Sequence, residues 1–144
     1  MTPRQLELVR ASYAALGDDA AAMAADFYSR LFAADPSARD LFTQDTDVMS
    51  EKFSAELAAI VEAITSYPTF ATRVHDLAER HVEYGVRTEH FRAVGDALLA
   101  SLAAHLDAHP DLTWDDELEA AWRRAYNLVA EMMMATAAGD DTQA

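Results

Sequence analysis

The feature that most constrains this chain is apolar residues recurring at helical spacing between legible start and stop signals. Thr2-Pro3-Arg4-Gln5 supplies an N-cap, a proline at the first helical position and a capping-box Gln. Leu6, Val9, Tyr13 and Leu16 then share one face, and Gly17 stops the helix. Met23, Phe27, Leu31 and Phe32 form the next stripe, and Asp35-Pro36 restarts the chain for a short helical turn ending near Phe42.

After a polar stretch from Thr43 to Asp47 comes a long amphipathic helix, with Met49, Phe53, Leu57, Ile60 and Ile64 inward. Tyr67-Pro68 reads as its break. The following helix runs from about Thr69 to Tyr84, with Phe70, Val74, Leu77, Ala78 and His81 on its inner face and Gly85 as its C-cap. Thr88-Glu89 opens a helix carrying Phe91, Val94, Leu98 and Leu102, and His109-Pro110 closes that connection. Thr113 reads as the cap of the last helix, with Asp115 and Asp116 in a first turn whose dipole favours them. Leu118, Trp122, Ala125, Val129, Met132 and Met133 make its stripe. The expectation is all-α: about six long helices plus one short, forming one domain over 1–138 with a disordered tail at 139–144.

Composition narrows the function. At 144 residues, 51% apolar and 25% charged, the chain can bury one sizeable core. Only four Gly and four Pro leave little turn material for a sheet. A formal charge of −14 argues against nucleic acid and anionic membrane as partners, because phosphate contacts need clustered Lys and Arg. The same charge leaves room for a partner with a basic face, such as a reductase. With no cysteine there is no disulfide, thiolate metal site or cysteine nucleophile. The first residues lack a signal-peptide profile, and no apolar run approaches a membrane span, so a cytoplasmic location is the expectation.

On composition alone, His81 on an apolar helical face has two readings: a core histidine satisfied by a backbone carbonyl, or a ligand to iron in a buried cofactor. Three ordered segments bear on the choice. Phe27-Tyr28-Ser29-Arg30-Leu31-Phe32, with Asp35-Pro36 and Asp40-Leu41-Phe42, resembles the second and third helices of bacterial single-domain haemoglobins and of the globin domain of flavohaemoglobins. Leu77-Ala78-Glu79-Arg80-His81-Val82-Glu83-Tyr84-Gly85-Val86 is similar to the family's proximal segment. Trp122-Arg123-Arg124-Ala125-Tyr126 resembles the middle of its last helix. Phe42 and His81 lie 39 residues apart, in register with the family, and the likeness covers essentially the whole chain.

The resemblance implies a globin fold around haem b (iron protoporphyrin IX), with His81 as the iron ligand and the sixth position open to a gas. The second ring nitrogen of His81 needs an acceptor, and the carbonyl of Leu77, one turn earlier, is the expected one. Phe42 matches the position that packs on the haem face; plain core phenylalanine is its other reading. The resemblance also sets Leu77, Val86, Phe91 and Tyr126 around the cofactor, with His90 at its edge. His75, His105 and His109 are read as solvated.

On the opposite side, Tyr28 matches the family's distal tyrosine, a donor to bound gas, against a structural tyrosine bonded to a backbone carbonyl. Here the sequence departs from many relatives. Met49 falls where globins commonly carry His or Gln, and Phe53 follows one turn later. Met49 reads as an apolar gap-filler over the ligand, although a thioether can also ligate haem iron. Lys52, on the flank, either pairs with a haem propionate or faces water. Flavohaemoglobins back the proximal histidine with a Tyr and a Glu, and Phe91 and Ala137 stand in those positions, neither side chain an acceptor.

The leading expectation is therefore reversible binding of dioxygen, carbon monoxide or nitric oxide at ferrous haem. Nitric oxide dioxygenation with a separate reductase is the enzymatic alternative, and weak peroxidase chemistry a lesser one. A haem-free helical interaction module is the third, disfavoured by the retained His81. The neutral backing of His81, and a chain that stops where a reductase domain would begin, both weigh against an autonomous redox enzyme.

Overall fold

A computed structural model describes residues 1–42 and 44–143, with side chains described for 1–42 and 44–136. Six α-helices follow in order: α1 (Pro3–Leu16), α2 (Ala20–Ala34), α3 (Thr46–Ala63), α4 (Tyr67–Glu83), α5 (His90–Asp107) and α6 (Asp116–Gln143). Short 3₁₀ segments, Gly17–Asp19 and Pro36–Leu41, flank α2. No strand occurs among the described residues, and none of their helices is long and apolar enough to cross a membrane. Where the sequence reading expects a disordered tail at 139–144, the backbone of 139–143 continues α6; Ala144 and the side chain of Ala137 lie outside the described residues.

Local chemistry explains the boundaries. Thr2 Oγ1 accepts from the Gln5 N–H at 3.1 Å while Gln5 Oε1 accepts from the Thr2 N–H at 3.0 Å, a closed capping box. Gly17, at φ +50°, ends α1. Two expected boundaries need correction. The helix read as starting near Thr69 starts at Tyr67, so Pro68 lies in its first turn, where a missing N–H is harmless, and the break falls just before it. Thr113 does not cap α6. The Asp115 carboxylate accepts the Leu118 N–H at 2.8 Å, a stronger partner for the positive helix end than a hydroxyl.

The closest helix pairings are α4 with α6, α2 with α5 and α2 with α3. Their inward faces build two apolar clusters. The larger joins α1, α2, α3, α5 and the first half of α6, around Val9, Met23, Leu31, Leu102, Leu106 and Trp122. The smaller joins Ile60 and Ala63 of α3, Phe70, Val74 and Ala78 of α4, Phe91 of α5, and Ala130 and Met133 of α6. Half-buried Ile64 and Tyr126 pack against both.

Buried polar atoms tie the larger cluster together at helix crossings. Trp122 Nε1 donates to Ser12 Oγ at 2.9 Å, and that hydroxyl donates to the Val9 carbonyl at 3.1 Å. Ser101 Oγ donates to the Met23 carbonyl at 2.7 Å, and Tyr13 Oη to the Ser54 carbonyl at 2.7 Å. Such bonds gain little net energy, but an orphaned partner is expensive. Ser12→Ala should therefore strand the Trp122 N–H in the core and cost about 1–3 kcal/mol. Denaturant titration would show this as a lower midpoint at unchanged slope.

Candidate functional site

The C-terminal end of α4 fixes one half of the site. Gly85 adopts φ +86°, a conformation that strains any residue with a Cβ. Around it the Val86 N–H donates to the His81 carbonyl and the Gly85 N–H to the Val82 carbonyl, both at 3.1 Å. This is a Schellman end, and it sets His81 at the third residue from the helix terminus. His81 Nδ1 lies 2.8 Å from the carbonyl oxygen of Leu77. A carbonyl can only accept, so Nδ1 carries the proton and Nε2 keeps its lone pair. Among the described residues nothing hydrogen-bonds to Nε2. Burial lowers the pKa of this imidazole below its ordinary value, with the adjacent Arg80 acting the same way, against opposing effects from the Leu77 carbonyl and Glu56. The imidazole is thereby held neutral, one nitrogen tied and the other available.

Around His81, Leu77 and Val86 are half-buried and pack on the smaller cluster with buried Phe91 and half-buried Tyr126. The Tyr126 hydroxyl donates to the carbonyl of Phe91. Its ring lies so close to Gly95 that a Cβ there would meet Tyr126 Cε2 at 2.6 Å, so α5 and α6 cross at a glycine. Burial drives the Tyr126 phenol pKa well above its usual value. His90 takes another role: its Nδ1 accepts the Arg87 N–H at 2.8 Å, tying the loop to the start of α5. The Tyr84 ring, largely exposed, stands edge-on to His81 with centroids 6.0 Å apart.

The other half of the site belongs to α2, α3 and the 3₁₀ segment. Tyr28 is buried among four phenylalanines, with ring centroids 5.0 Å from Phe27, 5.2 Å from Phe42, 5.8 Å from Phe53 and 5.9 Å from Phe32. Phe27 stacks on Phe53 at 4.6 Å, and Phe32 meets Phe42 at 5.4 Å. These separations suit offset and edge-to-face packing. Tyr13 and Tyr126 spend their hydroxyls on backbone carbonyls, whereas Tyr28 has no hydrogen-bond partner among the described residues. Burial raises its pKa to about 12, so the phenol stays protonated and keeps its O–H as a donor. Met49 is buried in the same cluster. Lys52 stands apart, exposed, with Nζ donating to Gln44 Oε1 at 3.1 Å. Next to Met49, Ser50 Oγ is buried with no partner among the described residues.

The residues singled out from sequence thus fall into two groups, Tyr28, Phe42, Met49 and Phe53 in the larger cluster and Leu77, Val86 and Phe91 in the smaller, with Tyr126 packed against both. Lys52 and His90 join neither through their polar atoms. Phe27 and Phe32, read only as core stripe, complete the Tyr28 cage, and Gly95 gave no sequence signal because its neighbour lies on another helix. Chemically, the donor set suits a haem. One neutral, oriented imidazole presents a free nitrogen, and half-buried Phe32, Phe42, Phe53, Leu57, Leu77 and Val86 supply apolar surface for a flat apolar cofactor to cover.

Comparison with known proteins agrees with this geometry. A family model described as Globin matches residues 25–133. The chain is 31% identical over 137 residues to a flavohaemoprotein of Bordetella pertussis, covering 93% of this chain and 33% of the relative. It therefore spans about a third of the length of the flavohaemoproteins it matches. An anaerobic nitrite reductase of Oryza sativa subsp. indica is 29% identical over 132 residues, covering 88% of each chain. Among solved structures, an engineered carbene transferase from Rhodothermus marinus, its parent a proposed nitric oxide dioxygenase, superposes with a TM-score of 0.84 at 25% identity, covering 99% of this chain and 96% of that one.

The neutral His81 carries a pH signature. Unfolding frees the imidazole to titrate near its ordinary pKa of about 6.5, while the folded chain holds that pKa lower. The unfolded state then binds more protons, so stability is complete above about pH 6.5 and declines as the pH falls toward the lowered folded value. Unfolding titrations of the protein without added haem, at pH 7.5 and 5.5, should show a loss that shrinks in His81→Gln.

Proposed function

Because this chain belongs to the globin family, we propose that it binds haem b through His81 and reversibly binds dioxygen, or another diatomic gas such as carbon monoxide or nitric oxide, at the ferrous iron. The observation that carries the gas-binding reading is the Tyr28 side chain, packed in an aromatic cage with no acceptor for its hydroxyl among the described residues. Tyr13 and Tyr126, by contrast, spend their hydroxyls on backbone carbonyls.

Bound ferrous haem supplies electron density that a diatomic gas accepts, leaving partial negative charge on the gas. The protein side follows from the geometry. His81 would offer Nε2 to the metal while its Nδ1–H stays on the Leu77 carbonyl, which fixes the ring plane and prevents rotation. Tyr28 would donate to the gas, and Met49, Phe42 and Phe53 would keep water out of the pocket so that this bond acts at low dielectric. Lys52 is close enough to solvent to meet a haem propionate, as its exposure allows.

Nitric oxide dioxygenation with a separate reductase is the second reading, favoured by the likeness to flavohaemoproteins and to a proposed nitric oxide dioxygenase. The surroundings of His81 weigh toward simple gas binding. Its acceptor is a neutral backbone carbonyl, and Phe91, read from sequence as standing where relatives carry a backing tyrosine, has no polar side-chain atom. A reductase would meet a strongly acidic protein, which suits a basic docking face. Repeated turnover with such a reductase would establish the enzymatic reading, and exhaustion after one equivalent would exclude it.

Absorption spectra of the haemin-reconstituted protein, oxidised, reduced and with carbon monoxide, should show a haem signature that His81→Ala abolishes or shifts. In Tyr28→Phe, stopped-flow release of dioxygen should accelerate roughly tenfold to a hundredfold, the value of a lost hydrogen bond to a charged acceptor. An unchanged release rate removes Tyr28 from the mechanism.

A further inference from the structure

One carboxylate joins the two helices between which the proposed cofactor must lie. Glu56, on α3, stands three residues after Phe53, and Arg80, on α4, immediately precedes His81. The Arg80 guanidinium Nη2 donates to Glu56 Oε1 at 3.4 Å, and Arg73 Nη2 donates to Glu56 Oε2 at 3.0 Å. The two arginines are seven residues, two helical turns, apart and share a face of α4. Both oxygens of Glu56 are thus engaged by the same neighbouring helix. Its side chain is only 21% exposed, against 46% and 51% for the arginines, so the carboxylate is screened less than that of a rim pair.

Resting on the haem reading above, we infer that the Glu56–Arg80 ion pair is a strap across the cofactor slot that governs how readily haem leaves, with Arg73 holding Glu56 in place. α3 carries Met49 and Phe53, and α4 carries His81. A cofactor held by His81 on α4 and walled by α3 would be freed by parting these helices, and parting them stretches the Glu56–Arg80 bond. An isolated surface ion pair would contribute almost nothing, but a part-buried carboxylate holding two guanidinium groups forms a small network. The strap acts on the exit of the cofactor, and the Leu77 hydrogen bond on the orientation of its ligand, so the two are separable.

The test measures haem transfer from the haemin-reconstituted protein to excess apomyoglobin, at low salt and in 1 M NaCl. Glu56→Gln should lose haem about threefold to tenfold faster at low salt. Arg80→Gln should match it, and the double variant should add nothing to either single change. In 1 M NaCl the wild type should approach the variants, since screening opens the strap. Unchanged loss in Glu56→Gln overturns the inference, and so does additive behaviour or a difference that survives high salt, either of which marks general destabilisation. Slower loss in Glu56→Gln also overturns it, because Arg80 would then serve the haem carboxylates with Glu56 competing. A wild-type chain that takes up no haemin overturns both this inference and the haem reading, whereas one that binds haem tightly and releases it at the Glu56→Gln rate overturns the strap alone.

Discussion

The site depends on a single hydrogen bond within α4, from His81 Nδ1–H to the carbonyl of Leu77. It does three things together. It fixes the tautomer, because a carbonyl offers no proton. It fixes the ring plane, because both partners are on one rigid helix. It directs the remaining lone pair outward, because only Nε2 is left. The Schellman end at Gly85 then anchors the turn that holds this pair, with the carbonyl of His81 itself taken by the Val86 N–H. Histidine, carbonyl and glycine act as one unit of local structure, and the surrounding core positions that unit against the rest of the protein.

The opposite wall obeys a different rule. Tyr28 is placed by aromatic packing, and its hydroxyl is left without a partner among the described residues. Two other tyrosines show the ordinary solution: Tyr13 and Tyr126 each reach a backbone carbonyl and so link one helix to another. The contrast is informative because desolvation raises the pKa of all three phenols, so none has an ionised form to fall back on near neutrality. The site thus keeps one phenolic donor and one imidazole nitrogen without a hydrogen-bond partner among the described residues. Under the haem reading, iron and a bound gas would engage both.

Electrostatics contribute unevenly. Arg4 with Glu117 and Arg123 with Asp96 are largely exposed pairs, and in a chain of net charge −14 they mainly relieve crowding among carboxylates. Glu56 differs because it is mostly covered and engages two arginines at once. Its position on α3, beside the wall that carries Phe53, gives an otherwise ordinary ion pair a place in the site.

The sequence by itself determined the helices, because capping boxes, prolines and glycines act over three or four residues and need no distant partner. It also determined that His81 would stand one turn after an available carbonyl and just before a glycine-marked end, since both relations are local. Cap choice at the start of α6 escaped it: Thr113 and Asp115 are both capping residues, and the hydrogen bond to Leu118 is what selects Asp115. Packing in three dimensions decided which core tyrosine has no acceptor among the described residues, why Gly95 is a glycine and which cations Glu56 meets, and it brought Phe42 and Phe53 onto Tyr28. Each of these depends on residues brought together from different elements. Helical periodicity gives the inward face of each element but not the register at which two faces meet, and that register is set by the packing of the whole core.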